Sequence, residues 1–590
     1  MSTMEAHVHL ADYLVFGGLM TLNLVIGLYF ALSGRCYRMG TDEAFLAGRD
    51  IGVNPLAMSV LASLLSATSV IGLTAHFYTY GLHMLWASVT VLTLVPLIRN
   101  VIVPLIHELK VTSVFEYLRM RFGNKVGITA CSLYFILNQV QGAVSIFAAG
   151  VAIATSFHVP LIWSSVAIGL TGTFYTALGG LRGVVWTDTL QGILILVCPL
   201  TILIKIAYDA TFQEGLNLRP ITDINLKPYL FEASFDLTND ENVWANLIGL
   251  IAGHTYRMGM DQMVIQRYAA ARSVADAQRT VLISTLLLVT SFFFLGSVAM
   301  ALVFWYRDCD PLLSGAIRKI EQLVPYYVDT RLSGFPGFSG FFLTGVVSAT
   351  LSTVSSVINS LAATCYVDIL TPYIHFNERY ANITTKALAF AFGGLMTILA
   401  VLVPYLGSAV RIIMVMHSSA SGPFIGLYLL ALAFPWVNAK GAAVSVIITM
   451  ALQLWAVLGK LLVGVHPPRM PVTLDNCPGN FTFIAANVTH AWLAQEERKT
   501  DIFPLYRLSA YWSGVLTAVL TVVIGLVVSA ATGGRRHASS QLRFTSDVFI
   551  RLWKKLDLLQ DSDLEPEVAK EKDDSLELYD LTKAGNSVSL

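Results

Sequence analysis

Five side chains able to coordinate a hard cation recur at helical spacing inside an apolar stretch: Ser348, Ser352, Ser355, Ser356 and Asn359, with Thr353 beside them. The spacing i, i+4, i+7, i+8, i+11 puts their oxygens on one face of a helix of about 3.6 residues per turn. A lipid-facing surface has no use for such a stripe, so it is expected to look inward at something polar, with sodium the obvious candidate. A structural reading stands beside this one. Ser and Thr hydroxyls bond back to the carbonyl four residues earlier, and small residues let membrane helices pack closely.

A second unusual segment runs from Leu56 to Tyr78, where LASLLSATSVIG gathers small and hydroxyl residues between Ala62 and Ser69. A helix unwound there frees backbone carbonyls at bilayer depth, which is tolerated only beside protein or a watery cavity. Carbonyls and hydroxyls together make a cage for a cation. Asp188, in VVWTDTLQ after YTALGGLRG, is either a helix cap or a functional intramembrane carboxylate. The sequence holds no P-loop, HExxH or paired CxxC, and His76, His83, His254 and His417 lack metal-ligand spacing. An enzyme and a nucleotide-driven pump are therefore not expected.

The elements that must position these residues are membrane helices. The 590 residues are 55% hydrophobic and 13% charged, with mean hydropathy +0.65, whereas soluble domains carry about 25% charge. Thirteen spans are expected, near 11–32, 52–78, 83–107, 124–157, 160–179, 184–209, 242–269, 274–305, 339–370, 382–404, 409–434, 439–464 and 508–532. With the amino terminus outside, the cytoplasmic connections collect Arg35, Arg38, Arg49, Lys110, Arg119, Arg121, Lys125, Arg182, Arg267, Arg272, Arg279, Arg379, Lys386, Lys440, Arg535 and Arg536. That alternation satisfies the positive-inside rule and puts the carboxyl terminus in the cytoplasm. A net charge of zero with basic residues between spans argues against a nucleic-acid partner.

Glycosylation is then expected at Asn480 and Asn487 in the last outer loop. Cys309 and Cys477 share the outer side and could form a disulfide. Spans two to six and seven to eleven begin on opposite sides, the parity of an inverted repeat, with one repeat over about 52–209 and the other over about 242–434. Helices 11–32, 439–464 and 508–532 are additions to it. These parts make up one membrane domain over 1–532. Residues 533–590 form an acidic, cytoplasmic tail expected to be largely disordered, with a basophilic kinase-like RRHAS at 535–539 and a carboxyl-terminal Val588, Ser589, Leu590 that could add to a PDZ sheet.

Four segments, YTALGGLRGVVWTDTLQ, MDQMVIQRY, LSTVSSVINSLA and FPWVNAKGAA, occur in an order that resembles the sodium/solute symporter family. The likeness covers about residues 11 to 532. It implies an all-α, LeuT-type five-plus-five inverted repeat with about thirteen transmembrane helices. It also implies two sodium sites: one from the carbonyls of Ala62, Leu65 and Ala349 with the hydroxyls of Ser352 and Thr353, the other from Asp188, Ser355 and Ser356. The positions that resemble a sugar site carry Ser69, Arg257, Met258 and Val415, too apolar a set to ring a sugar. SGPFIGLYLLALAFPWVNAKGA and TYGLHMLW are similar to the monocarboxylate, multivitamin and iodide branch, although His76 and Thr79 stand where that branch usually has Glu and Arg.

The resemblance implies symport of a small organic anion, such as a monocarboxylate, biotin or pantothenate, with two sodium ions, at the plasma membrane. Ser69, Thr255, Tyr256, Met258 and His417 are the expected lining of the substrate site. Sodium-coupled transport of a sugar, polyol or choline is the alternative, as is a sodium-dependent sensor or channel on the same fold.

Overall fold

A computed structural model describes residues 9–32, 41–212, 218–374, 377–406, 408–463, 469–477, 503–534 and 539–559. Their regular structure is helical apart from one isolated bridge, Ile51 to Ala271. The spans are α1 (Leu10–Leu32), the bent pair α2 (Val53–Leu64) and α3 (Ala67–Tyr80), α4 (Ala87–Leu97), α5 (Asn124–Phe157), α6 (Leu161–Val197) and α7 (Leu200–Phe212). A second broken unit follows, α8 (Ile251–Gly259) and α9 (Gln262–Ala269). The remaining long helices are α10 (Val274–Tyr306), α11 (Phe338–Thr364), α12 (Glu378–Leu406), α13 (Ser408–Ala433), α14 (Ala439–Val463) and α15 (Ala510–Ala531).

Nine helices among the described residues are long and apolar enough to cross a membrane, ten with the bent pair. One of them, Leu161–Phe212, has 52 residues. At about 1.5 Å per residue it is far longer than a hydrocarbon core of about 30 Å. It divides at Gly180, whose φ of 57° and ψ of −163° leave the helical region in a conformation open mainly to glycine. Its second limb, the broken α8–α9 unit and α13 occupy the positions of the three further spans expected from the sequence.

The hydroxyl stripe lies on the central element. Within the most apolar window of α11, 94% of residues are buried, against 11% for α1 at the periphery. Helices α6, α5, α1 and α12 pack around α11. It is buried on every side, so its hydroxyl face is distinguished by what it meets and not by avoidance of lipid.

Asp188 lies two turns beyond Gly180 inside α6, fully buried, so it is no amino-terminal cap. Arg267, counted above among the cytoplasmic positive charges, is also fully buried. The positive-inside count reads a charge by its place in sequence and cannot see that α9 turns this one into the core. Cys309 and Cys477 are joined by a disulfide.

Beyond α15, residues 539–544 form a short 3-10 turn and α16 (Asp547–Lys555) follows. Tyr117 donates to the Phe544 carbonyl at 2.8 Å, and Trp553 packs on Phe434 and Trp436. Disorder was expected from the composition of the whole tail, which averages away this nine-residue amphipathic segment. The glycosylation candidates Asn480 and Asn487, the basic part of RRHAS and the last 31 residues lie outside the described residues.

Candidate ion and substrate sites

The break between α2 and α3 is written in LLSATS. Leu65 and Ser66 are extended, and the two helices bend by 62°. Ser66 opens α3 as a reciprocal cap: its hydroxyl accepts the Ser69 amide, and Ser69 Oγ accepts the Ser66 amide, each at 3.3 Å. In a continuous helix the Ser66 amide would bond the Ala62 carbonyl. Freed of that partner, Ala62 accepts the Ser352 hydroxyl at 2.7 Å.

Ser352 also reaches the Ala349 carbonyl at 3.0 Å, and Thr353 reaches the same carbonyl at 3.0 Å. Ala62, Ala349, Ser352 and Thr353 therefore meet around one point, with Leu65 at the turn of the chain beside it. All five are buried. The set is neutral and all oxygen, which suits a small hard cation exchanging these hydroxyl contacts for ion contacts. The back-bonding alternative holds for part of the stripe: Ser355 donates to the Ser352 carbonyl at 3.0 Å. Ser348 Oγ and Asn359 Nδ2 are buried without a hydrogen-bond partner.

Two of the three residues expected at a second sodium site, Asp188 and Ser356, contact a protein cation. Arg267 Nη2 lies 2.9 Å from Asp188 Oδ2 and 2.5 Å from Ser356 Oγ, and Nε lies 2.6 Å from Ser59 Oγ. Ser59 in turn donates to Asp188 Oδ2 at 2.6 Å, and Arg267 Nη1 bonds the Met263 carbonyl. Ser63 and Ser356 exchange a hydrogen bond at 2.8 Å. Asp188 Oδ1 has no hydrogen-bond partner. Asp188 and Ser356 thus come together as expected. Arg267, which belongs to MDQMVIQRY, was read only as a topological charge, because spacing within one segment says nothing of a partner 79 residues away.

A cavity of 360 Å³ opens beside the first break, lined by Leu64, Leu65, Ser69 and His76 on one side and by His254, Arg257, Met258 and Phe292 on the other. Ser69 and Met258 sit on its wall. Thr255 and Tyr256 are not among its lining residues: Thr255 bonds back to the Ile251 carbonyl at 2.7 Å, and Tyr256 faces the Phe424 ring of α13. His417 lies in α13, with its side chain outside the described residues. A second groove of 610 Å³, walled by residues such as Leu85, Ile206 and Phe293, is almost wholly apolar and has no charged side chain on its wall.

The model of the sodium:solute symporter family matches residues 44–449. The zebrafish (Danio rerio) sodium-coupled monocarboxylate transporter 2 is 30% identical over 88% of this chain and 84% of its own length. Its human (Homo sapiens) counterpart is 29% identical over 90% and 85%, and a putative sodium-dependent multivitamin transporter of Drosophila melanogaster is 28% identical over 88% and 86%. Among solved structures, a sodium-coupled sialic acid symporter in an outward-open, substrate-bound state aligns with a TM-score of 0.70 at 20% identity. It covers 89% of this chain and 98% of that one. The fold is LeuT-type, and the relatives are transporters and not enzymes. The chain belongs to the sodium:solute symporter family and is a sodium-coupled solute symporter.

Proposed function

We propose that this chain takes up a small organic anion, a monocarboxylate or a carboxylate-bearing vitamin, with two sodium ions, by alternating access across the plasma membrane. Its amino terminus is outside and its carboxyl terminus cytoplasmic. The repeats span about 52–209 and 242–434. One observation carries the reading: the Ser352 hydroxyl meets the unpaired Ala62 carbonyl at the α2–α3 break, beside a cavity with mostly apolar walls. An ion held by Ala62, Leu65, Ala349, Ser352 and Thr353 ties the broken helix to α11 and completes the cavity for substrate. The second ion belongs at Asp188, Ser355 and Ser356. The anion is inferred from the monocarboxylate and multivitamin names of the relatives.

The energetics fit a concentrating carrier. A roughly tenfold sodium gradient supplies about 1.4 kcal/mol per ion, and about 60 mV adds about 1.4 kcal/mol per charge. Two ions give about 5.6 kcal/mol, and inward movement of one anion takes back about 1.4. The remaining 4.2 or so corresponds to roughly thousandfold accumulation, against about tenfold for one sodium per anion.

The test is uptake into proteoliposomes of lactate, pyruvate, biotin, pantothenate, iodide, glucose and inositol, with and without a sodium gradient. Sodium-dependent accumulation of a carboxylate supports the reading. Accumulation confined to glucose or inositol, or uptake indifferent to sodium, overturns it.

A further inference from the structure

The cavity beside the first break has one permanently charged side chain on its described wall, Arg257, set among apolar neighbours such as Leu65, Met258 and Phe292. A charge at such a depth is costly unless it has a partner or a task. Arg257 has a partner that positions it without covering it. Its Nη1 donates to Asp261 Oδ2 at 2.7 Å, one helical turn along, and Nη2 lies 3.5 Å from the Leu64 carbonyl. The Arg257 side chain keeps 23% of its surface exposed, while Asp261 keeps none.

Asp261 does not depend on Arg257 alone. Its Oδ1 accepts the Tyr134 hydroxyl at 2.9 Å and the Met263 amide at 3.2 Å, and it caps α9, where the helix dipole favours a negative charge. The carboxylate is therefore held from two further directions, and the open edge of the guanidinium is left toward the cavity. A guanidinium presents five N–H donors in a planar fork that fits a carboxylate with two parallel hydrogen bonds. One turn back on the same helix, His254 also lines the cavity, and its Nε2 has no hydrogen-bond partner.

We infer that Arg257 anchors the carboxylate of the transported anion, with His254 as a neighbouring donor. The inference rests on the anion reading above and adds the residue that selects for charge. It also links substrate to ion: Arg257 reaches Leu64 at the end of α2, while the first ion site uses Ala62 and Leu65 of the same segment. The acid and the ion thus bind the two sides of one break.

The experiment compares the full-length transporter with Arg257→Gln and Arg257→Lys in proteoliposomes, using lactate, pyruvate and biotin alongside lactamide, pyruvamide and biotin amide. Arg257→Gln is expected to raise the half-saturating concentration of the acid roughly 10- to 100-fold. Inhibition by the amide and half-saturation by sodium are expected to stay within about twofold, with Arg257→Lys intermediate. A purely structural Arg257 would lower all substrates alike and shift sodium activation with them.

Retained preference for acid over amide in Arg257→Gln overturns the anchor while leaving anion symport standing. If the wild type accumulates only neutral solutes, both fail. The wild-type protein gives a measurement that needs no variant: phenylglyoxal, which modifies guanidinium groups, should inactivate uptake, and the acid but not the amide should protect. Equal protection by both overturns the anchor.

Discussion

Arg267 and Asp188 form an ion pair at 2.9 Å in which neither side chain has any exposed surface. Removing one partner of such a pair typically costs about 3–5 kcal/mol, because the other charge is left buried and alone. Asp188→Asn and Arg267→Gln are each expected to lower the thermal midpoint and surface level sharply, and the double variant to be more stable than either. Thermal unfolding in detergent checks this. A double variant as unstable as the sum of the singles would mean that the two charges are not coupled.

The same pair bears on stoichiometry. A second sodium at Asp188 and Ser356 has to take contacts that Arg267 holds, so the ion and the guanidinium exchange places. We expect substrate to evoke inward current, sodium activation with a Hill coefficient near two in the wild type, and a coefficient falling toward one in the Asp188→Asn, Arg267→Gln double variant. Electroneutral uptake with a wild-type coefficient of one would mean that Arg267 keeps the second site for itself.

The proposed first ion site makes a cleaner demand. Ser352→Ala together with Thr353→Ala removes both hydroxyls while changing little volume in α11. Coupled uptake is expected to vanish with surface expression retained, as read by biotinylation beside radiolabelled uptake. Full uptake in the double variant would remove these hydroxyls from the ion path.

Cys309 and Cys477 close a loop across 168 residues, and Tyr78 at the end of α3 donates to Asp310 beside it at 2.6 Å. Replacing both cysteines with serine is expected to cost about 2–4 kcal/mol of stability. Differential scanning fluorimetry with and without reductant measures it, and a wild type indifferent to reductant would contradict the expectation.

What could be read from the sequence was whatever lay within one segment. The α11 stripe, the weak point at Ala62–Ser69 and Asp188 were legible because spacing, composition and an isolated charge are local signals. The second break at Met260–Asp261 was not, since MGMDQ contains no cluster of hydroxyls or proline to mark it. Arg267 was misread as a topological charge, and Arg257 was counted only as one of a largely apolar set at the substrate-site positions, because nothing in the sequence marked its pairing with Asp261 four residues on. Thr255, expected to line the substrate site, bonds back to its own helix and is not among the lining residues of the cavity beside the first break. A one-residue change of position turns a helical side chain by about 100°, finer than a sequence reading resolves.

The reciprocal Ser66–Ser69 cap has a mechanical consequence. Were α2 and α3 to straighten, the Ser66 amide would return to Ala62 and compete for the oxygen that an ion needs. On the proposed first ion site, bend angle and ion occupancy are one variable, so a sodium gradient would act on this hinge as a torque, and a compound that straightened it would uncouple the carrier without binding in the ion pathway.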